Sequence, residues 1–202
     1  MSKLKIAILV SGRGSNMEAI LKAIKGGLNA EAVLVISDKA YAPALEIAAS
    51  HKVPTLFLDP KSYPSKEEYD QAMVDHLNQA KTGLVCMAGY MRIVTPVLLK
   101  AFPAKVMNIH PALLPSFKGL RGQKQALDYG AKISGCTVHF VTEEPDGGPI
   151  IVQAAVDVEE DDTVESLSAR ILAQEHLIFP RAIGLFAAGK LETHGRRVVI
   201  LE

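Results

Sequence analysis

The sequence predicts an α/β protein with a Rossmann-like, three-layer fold: a mostly parallel sheet, helices on both faces and an antiparallel C-terminal addition. Over residues 4–110, short apolar runs alternate with segments of helical periodicity, the pattern of parallel strands joined by helices. Over residues 135–158, two strand-like segments flank a short turn, which indicates a hairpin-like pair. Hydrophobic residues make up 49% of the 202 residues, enough for a sizeable core.

The elements of the first half follow from hydrophobic periodicity and cap residues. Apart from Lys5, the run LKIAILV is apolar throughout, as in a strand buried on both faces. Helix 65–81 is expected to begin after Ser65 as N-cap, with Glu68 completing a capping box. The predicted strands are 4–10, 30–37, 54–59, 82–89 and 104–110, and the predicted helices are 16–27, 42–52, 65–81 and 95–102.

The second half has a different organisation. A long helix is predicted over 161–189, capped by Asp162 or Thr163 and ended by Gly189, and Pro180 should kink or break it because proline lacks the N–H that a helix interior needs. The remaining predicted elements are a short helix at 123–130, strands at 135–142 and 149–158, and a terminal hairpin over 190–202 with Gly195 in its turn.

Composition narrows the functional classes. Lys and Arg together number 22, as do Asp and Glu, so no broad basic surface for nucleic acid or membrane is expected. The first apolar run is too short to span a membrane and meets a glycine loop, which favours a first strand and a cytoplasmic protein. Cys86 and Cys136 lie in strand-like segments and are interpreted as buried structural thiols, with no spacing that predicts a metal site.

The segment SGRGSN, residues 11–16, lies between the first strand and the first helix. Such a loop offers backbone N–H groups to an anion, so a phosphate bound by Gly14, Ser15 and Asn16 is predicted. The alternative is a tight turn in which Asn16 caps the helix. Met17 occupies the place of the third glycine of a dinucleotide fingerprint, which argues against a nicotinamide cofactor.

A second polar cluster is predicted at the end of the fifth strand. Asn108 and His110 are two residues apart, so their side chains share one face, and Pro111 keeps His110 extended. An amide and an imidazole can donate to an oxyanion, and Asp146, in a turn before two glycines, is expected to favour the imidazolium. The plainer alternatives are an ordinary strand exit and a common Asp-Gly turn. Without a nucleophile motif, the pattern indicates direct acyl transfer.

Five segments, in this order, resemble the glycinamide ribonucleotide formyltransferases, a family of folate-dependent enzymes of purine biosynthesis. They are SGRGSN at 11–16, AGYMRIVTP at 88–96, NIHPALLPSFKG at 108–119, GCTVHFVTEEPDGGPI at 135–150 and QEHLIFP at 174–180. The resemblance runs nearly end to end. The segment 108–119 together with the turn around Asp146 is specific to folate-dependent formyl transfer, and SGRGSN together with QEH indicates the glycinamide ribonucleotide branch.

The resemblance implies roles residue by residue. The substrate amine attacks the formyl carbon, Asn108 and protonated His110 hold the oxyanion, and Asp146 assists proton transfer through water to the leaving nitrogen. Gly14, Ser15 and Asn16 match the phosphate loop, and Glu175 matches a carboxylate that binds the ribonucleotide. The positions that match folate contacts are Lys66, Met91, Arg92, Ile93, Val94, Asn108 and Thr142.

Four positions depart from the family pattern. Lys66 stands where an arginine is frequent, and lysine lacks the bidentate fork for a carboxylate. Arg121 and Gln123 occupy a stretch in which some members carry two histidines that would support His110. Pro145 precedes Asp146 in place of an aliphatic residue and is expected to stiffen the turn.

The resemblance implies a single formyltransferase domain over 1–202, with 1–103 as the phosphate- and nucleotide-binding half and 104–202 as the catalytic and folate-binding half. Its activity would be formyl transfer from 10-formyltetrahydrofolate, as cosubstrate, to glycinamide ribonucleotide, with no metal and no nucleic-acid or membrane partner. Two alternatives stay open: hydrolysis of 10-formyltetrahydrofolate, and non-catalytic binding of a phosphate ligand. A tRNA-formylating enzyme is disfavoured because it would need an added basic domain. The oligomeric state is open between monomer and homodimer.

Overall fold

A computed structural model describes residues 2–202 and divides into two compact units, one ending at Met107 and the other running from Asn108 to Glu202. In the first unit, strands and helices alternate as predicted. The elements are β1 (Leu4–Val10), α1 (Ser15–Lys25), β2 (Ala30–Ser37), α2 (Pro43–Ser50), β3 (Thr55–Phe57), a 3₁₀ turn (Pro60–Ser62), α3 (Lys66–Gln79), β4 (Leu84–Met87), α4 (Pro96–Ala101) and β5 (Val106–His110), of which β5 ends within the second unit.

Parallel pairing organises the first unit. Strand β1 pairs in parallel with β2 and β4, and β2 pairs in parallel with β3, giving the order β3-β2-β1-β4-β5. The central position of β1 explains its apolar run, because residues Ile6 to Leu9 are completely buried and have helices to pack against. Helix α1 contacts α2, and α3 contacts α4.

Local sequence signals set the helix starts of this unit. The hydroxyl of Ser65 accepts a hydrogen bond from the backbone N–H of Glu68 at 3.1 Å, which confirms Ser65 as the N-cap of α3. The Glu68 carboxylate faces the same hydroxyl at 3.4 Å. Thr95 caps α4 in the same way, and Pro96 follows at the first helical position, where its missing N–H costs nothing.

The second unit has mixed pairing. Its elements are α5 (Gly122–Tyr129), β6 (Ile133–Phe140), β7 (Ile150–Asp157), α6 (Val164–Ala187), β8 (Leu191–His194) and β9 (Arg197–Ile200). The strand order is β6-β7-β9-β8, in which β6 with β7 and β8 with β9 are antiparallel while β9 meets β7 in parallel. Both predicted hairpins are confirmed, and Gly195 adopts φ +60° in the terminal turn.

Helix α6 corrects one prediction. It runs without interruption through Pro180, so of the two effects predicted for that residue, a kink or a break, the break is wrong. The reason is packing, since Phe179, Ala182 and Ile183 around the proline are fully buried and hold the helix together. Thr163 is the N-cap, in a reciprocal pair with Ser166, which decides between the two caps predicted.

The fold class is the predicted one: a Rossmann-like α/β fold with mostly parallel strands, surrounding helices and an antiparallel C-terminal addition. Among residues 2–202, no helix combines the length and apolar character needed to cross a bilayer.

Candidate active site

The end of β5 carries the first two predicted catalytic residues. Asn108 is half-buried, while Ile109 and His110 are buried. Strand alternation puts the side chains of Asn108 and His110 on one face, and both point into the same polar cluster. The Nδ2 atom of Asn108 lies 3.3 Å from Nε2 of His139, and Nδ1 of His110 lies 3.4 Å from Oδ2 of Asp146.

The turn between β6 and β7 supplies Asp146 to this cluster. Asp146 adopts φ +49°, a left-handed conformation that aspartate tolerates better than most residues. Gly148 makes the sharp return possible, because a Cβ there would overlap the carbonyl oxygen of Phe140. The Asp146 carboxylate accepts a hydrogen bond from the backbone N–H of Gly119 at 2.8 Å. The structure therefore brings the three predicted catalytic side chains together.

His110 has a polar neighbour at each ring nitrogen, and one of them fixes the ring. Its Nε2 atom lies 2.9 Å from the carbonyl oxygen of Phe117, and since a carbonyl can only accept, Nε2 carries the hydrogen and donates it. This bond turns Nδ1 towards Asp146 at the longer distance of 3.4 Å. The side chain of His110 is only 5% exposed and that of Asp146 is 14% exposed. Because water has little access to Nδ1, the Asp146 carboxylate is the main polar neighbour of that nitrogen.

The segment after β5 supports His110 through its backbone. The side-chain amide of Gln125 donates to the carbonyl oxygens of Lys118 and Leu120, at 3.0 and 2.9 Å, and holds the loop that presents the Phe117 carbonyl. Arg121, one of the departures from the family pattern, adopts φ +61° and forms the N-cap position of α5. In this chain a backbone carbonyl therefore contacts the ring nitrogen of His110 that points into the loop.

His139 is a fourth member of the cluster that the sequence analysis missed. It is 2% exposed, with Nδ1 2.9 Å from the carbonyl oxygen of Phe140 and Nε2 3.7 Å from Oδ1 of Asp146. Burial lowers the pKa of His139 below 6.5, against smaller opposing effects of the Phe140 carbonyl and Asp146. A signal was present: a histidine in an apolar strand that ends just before the Asp146 turn.

The glycine loop in the first unit has the geometry of an anion site. Gly14 is the N-cap of α1 with φ +81°, and no side chain caps the helix, so the alternative in which Asn16 caps it is wrong. Asn16 lies inside the first turn of α1 and is buried. A Cβ on Gly14 would lie 2.6 Å from the Cβ of Ala44, which restricts this position to glycine. Fully buried Met17 fills the space beneath the loop.

The segment from Tyr90 to Thr95, where the folate contacts are predicted, is held by α3. The hydroxyls of Tyr69 and Tyr90 are hydrogen-bonded at 2.9 Å, and the guanidinium of Arg92 lies 5.0 Å from the centre of the Tyr69 ring. Asp70, which is buried, accepts a hydrogen bond from the backbone N–H of Thr95 at 2.5 Å. Burial raises the pKa of Asp70, and the hydrogen bonds with Thr95 oppose that rise.

The predicted folate contacts in that segment differ in accessibility. Met91 and Ile93 are 64% and 68% exposed and lie two residues apart, which suits a ligand-covered surface. Val94 is buried, so its side chain is part of the core and only its backbone is available for a ligand. The backbone N–H of Met91 donates to the hydroxyl of Ser11 at 2.9 Å.

The other predicted positions lie on separate elements. Glu175 is buried on α6 and helps to raise the pKa of Cys136 to about 12, although burial of that thiol is the larger cause. Lys66 is exposed at the first position of α3. Thr142 is exposed just after β6, and its hydroxyl donates to the carbonyl oxygen of Glu144 at 3.3 Å. Both cysteines are free and buried.

A family model described as formyl transferase matches residues 4–183, which include the glycine loop, the 88–96 segment, the Asp146 turn and Glu175. The chain belongs to the formyl transferase family.

Curated relatives agree with the family assignment. The phosphoribosylglycinamide formyltransferase of Escherichia coli (strain K12) is 40% identical over 196 residues, covering 95% of this chain and 91% of that protein. The trifunctional purine biosynthetic protein adenosine-3 of Gallus gallus is 45% identical over 192 residues, covering 95% of this chain. The chain spans only 14% to 20% of the length of such trifunctional relatives.

Solved structures of formyltransferases have the same fold as this chain over nearly its whole length. The glycinamide ribonucleotide transformylase 1 of Symbiobacterium toebii has a TM-score of 0.98 and 51% sequence identity, and the match covers 100% of this chain and 95% of that one. The phosphoribosylglycinamide formyltransferase of Anaplasma phagocytophilum has a TM-score of 0.92 at 41% identity, covering 99% and 95% of the two chains.

Proposed function

We propose that this chain transfers the formyl group of 10-formyltetrahydrofolate to the amine of glycinamide ribonucleotide, a step of de novo purine biosynthesis. The observation that supports it most directly is the cluster of Asn108, His110 and Asp146 in a chain of the formyl transferase family. Relatives that are similar over nearly their whole length are named for this activity. The folate is a cosubstrate, so it enters and leaves with each turnover.

The reaction follows from the chemistry of the cluster. The substrate amine attacks the formyl carbon and gives a tetrahedral intermediate whose oxygen carries negative charge. The amide of Asn108 has two hydrogens, of which His139 accepts one, so the second is available to the oxyanion. The carbon–nitrogen bond to the folate then breaks, and the proton lost by the amine goes to the leaving nitrogen. No covalent acyl-enzyme is needed.

His110 and Asp146 act as a pair in this scheme. The Nε2 hydrogen of His110 is held by Phe117, so Nδ1 is the nitrogen left for the substrate. A hydrogen on Nδ1 would make the ring an imidazolium, with Asp146 as its counter-ion at 3.4 Å. When the amine attacks, the Asp146 carboxylate is the nearby group that can accept its proton, directly or through water.

The remaining predicted residues bind the two substrates. The glycine loop, through Gly14, Ser15 and Asn16, takes the ribonucleotide phosphate, because the uncapped start of α1 presents N–H groups and the positive end of the helix dipole. Glu175 binds the ribonucleotide through its carboxylate. Lys66, Met91, Arg92, Ile93, the Val94 backbone and Thr142 contact the folate. Residues 1–103 thus supply the phosphate loop and most of the folate contacts, and 104–202 carry the catalytic residues of one formyltransferase domain.

Cellular setting and assembly complete the proposal. We expect a cytoplasmic enzyme without nucleic-acid or membrane partners, and the equal numbers of acidic and basic residues support this. A monomer and a homodimer are both compatible with the sequence, and sedimentation of the purified protein distinguishes them.

A single assay tests the activity. The protein is mixed with glycinamide ribonucleotide and 10-formyltetrahydrofolate, and conversion to tetrahydrofolate is followed by folate absorbance. Turnover that requires both substrates supports formyl transfer, whereas equal turnover without the ribonucleotide would indicate hydrolysis. Binding of the ribonucleotide in calorimetry without any turnover would indicate a phosphate-ligand binding protein and would overturn the proposal. The His110→Ala variant, assayed under the same conditions, is the control for turnover that does not depend on the proposed catalytic residues.

A further inference from the structure

His139 makes a chain of two hydrogen bonds that fixes its tautomer. Its Nδ1 atom lies 2.9 Å from the carbonyl oxygen of Phe140, and a carbonyl can only accept, so Nδ1 carries the hydrogen. In the neutral ring, Nε2 is then a bare acceptor. The partner of Nε2 is the side-chain amide nitrogen of Asn108, at 3.3 Å, which can only donate.

We propose that neutral His139 is a positioning residue that fixes the orientation of the Asn108 amide, so that a second amide hydrogen is presented to the oxyanion of the formyl-transfer reaction. This inference rests on the proposed function for its catalytic consequence. Its structural part, the tautomer and the amide orientation, holds or fails independently of any activity. His139 itself does not touch the reacting atoms in this scheme.

The amide orientation decides what Asn108 can do. With Nδ2 towards His139, one amide hydrogen is used there and the other is free, while Oδ1 points away. Turned over, the amide would place its oxygen at Nε2 of His139 and carry both hydrogens to the opposite side. An asparagine without a fixed acceptor samples both arrangements, and the geometry of an oxyanion donor must be set before reaction for its full effect.

Protonation of His139 would undo the arrangement. Nε2 would become a donor, which cannot accept from Asn108 and would turn instead to Oδ1 of Asp146 at 3.7 Å. The charged groups that act on His139 are Asp146 from the β6–β7 turn, which favours the charged ring, and His110 from β5, which opposes it. On the helix packed against β6, buried Glu175 acts on Cys136. Burial of His139 outweighs these effects and keeps it neutral near pH 7.

Two substitutions at position 139 distinguish the loss of the hydrogen-bond acceptor for Asn108 from a change in side-chain volume. His139→Gln retains an oxygen that accepts from Asn108 and a nitrogen that donates to Phe140, and it does not titrate. His139→Leu fills a similar volume with no polar atom. His194→Gln is the matched control, because His194 lies on β8 with its side chain 66% exposed. Thermal unfolding of each variant reports whether the fold is kept.

The expected kinetic result is a split between the two variants. At neutral pH, His139→Leu lowers kcat by about ten- to a hundredfold, less than the roughly 10²–10³-fold cost of removing an oxyanion donor outright. His139→Gln retains most of the rate, and its kcat falls less than that of the native protein as the pH drops below about 6.5. A folded leucine variant with native kcat, or a glutamine variant with the native acid limb, would overturn the positioning role.

Nitrogen NMR of the imidazole tests the structural part without turnover. In protein labelled with ¹⁵N-histidine, the signal lost in His139→Gln is assigned to residue 139. We expect a protonated Nδ1 and an unprotonated Nε2 at neutral pH. The opposite tautomer, or an imidazolium at that pH, would overturn the inference. Native protein that shows the expected tautomer but transfers no formyl group would contradict the proposed function alone.

Discussion

The Nδ1 atom of His110 lies 3.4 Å from Oδ2 of Asp146, while the same carboxylate oxygen accepts a shorter hydrogen bond, of 2.8 Å, from the backbone N–H of Gly119. The backbone therefore fixes the carboxylate, and the carboxylate in turn faces the imidazole. A group held by one neighbour and only loosely engaged with the other is well placed to exchange its partner during a reaction.

Replacing Asp146 by asparagine tests this relationship. Asp146→Asn keeps the size of the side chain and an oxygen for Gly119, but it removes the counter-charge of His110 and the acceptor for the amine proton. We expect kcat to fall by about 10²- to 10⁴-fold, the usual effect of losing a general acid–base group. Steady-state kinetics measure it. The control is Glu160→Gln, which removes an exposed ion pair with Lys132 and should leave kcat unchanged.

The glycine loop offers both a test position, Gly14, and a control position, Gly12. Gly14 has φ +81° and a Cβ on it would lie 2.6 Å from the Cβ of Ala44, whereas a Cβ on Gly12 would meet nothing within 4 Å. We expect Gly14→Ala to destabilise the protein by about 1–3 kcal/mol and to raise KM for the ribonucleotide, because a left-handed alanine is strained. Gly12→Ala should do neither. Denaturant unfolding and initial rates measure both effects.

A second substitution should restore part of the stability that Gly14→Ala removes. Ala44→Gly removes the Cβ that an alanine at position 14 would meet, so the double variant should be more stable than the sum of the two single effects predicts. The strain of the left-handed backbone and the approach to the Cα of residue 44, at 2.9 Å, would persist. Strict additivity of the unfolding free energies would show that the contact with the Cβ of Ala44 is not the cause.

Periodicity and cap residues carried most of the fold prediction. The strands at 4–10 and 30–37 match the structure residue for residue, because short runs rich in β-branched and aliphatic residues, each next to a glycine-containing loop, leave little alternative. Helix α6 shows the limit. Pro180 predicts a local kink or break, and the helix nevertheless continues through it, because the burial of side chains on either side comes from tertiary packing, which no local pattern contains.

The candidate site likewise has features that local sequence predicts and features that depend on tertiary packing. Alternation predicts that Asn108 and His110 share a face, since that follows from strand geometry alone. Alternation says nothing about Asp146, whose proximity is predicted from its turn before two glycines between two strands and is given its catalytic role by the family resemblance. His139 escaped because its role depends on which atoms its ring nitrogens face, namely the Phe140 carbonyl and the Asn108 amide. The buried state of Val94 and Glu175 is likewise a property of packing that their neighbours in sequence do not determine.

Asp70 provides a test of the segment that carries Met91 and Ile93. Its carboxylate, on α3, accepts from the backbone N–H of Thr95, which directly follows the segment with the exposed apolar side chains. Asp70→Ala leaves that buried N–H without its acceptor, which costs about 1–3 kcal/mol of stability. We expect KM for the folate to rise several-fold while KM for the ribonucleotide stays unchanged.

The control for Asp70 lies on the same helix. Asp75 is exposed and accepts from the side chain of Gln71, four residues away on the same helix, so Asp75→Ala should change neither Michaelis constant. Direct titration of the Asp70 variant with 10-formyltetrahydrofolate separates binding from rate. Equal increases in both Michaelis constants would mean that Asp70 supports the fold in general and has no particular effect on the folate segment.

The pH dependence of stability gives a prediction that needs no substrate. Burial holds the pKa of folded His139 below 6.5, whereas in the unfolded chain the ring titrates near about 6.5. Between these two values the unfolded chain binds a proton that the folded protein excludes, so falling pH favours unfolding. The stability that neutral His139 contributes is complete above the pKa of the unfolded chain and is lost as the pH falls through the pKa of the folded protein.

We therefore expect the native Tm to drop from pH 7 to pH 5 more steeply than that of His139→Gln, which has no titrating group there. The His194→Gln control should follow the native curve, since its histidine is exposed on β8. Calorimetric scans at closely spaced pH values measure the difference, and parallel curves for the native and His139→Gln proteins would show that His139 is not kept neutral by burial.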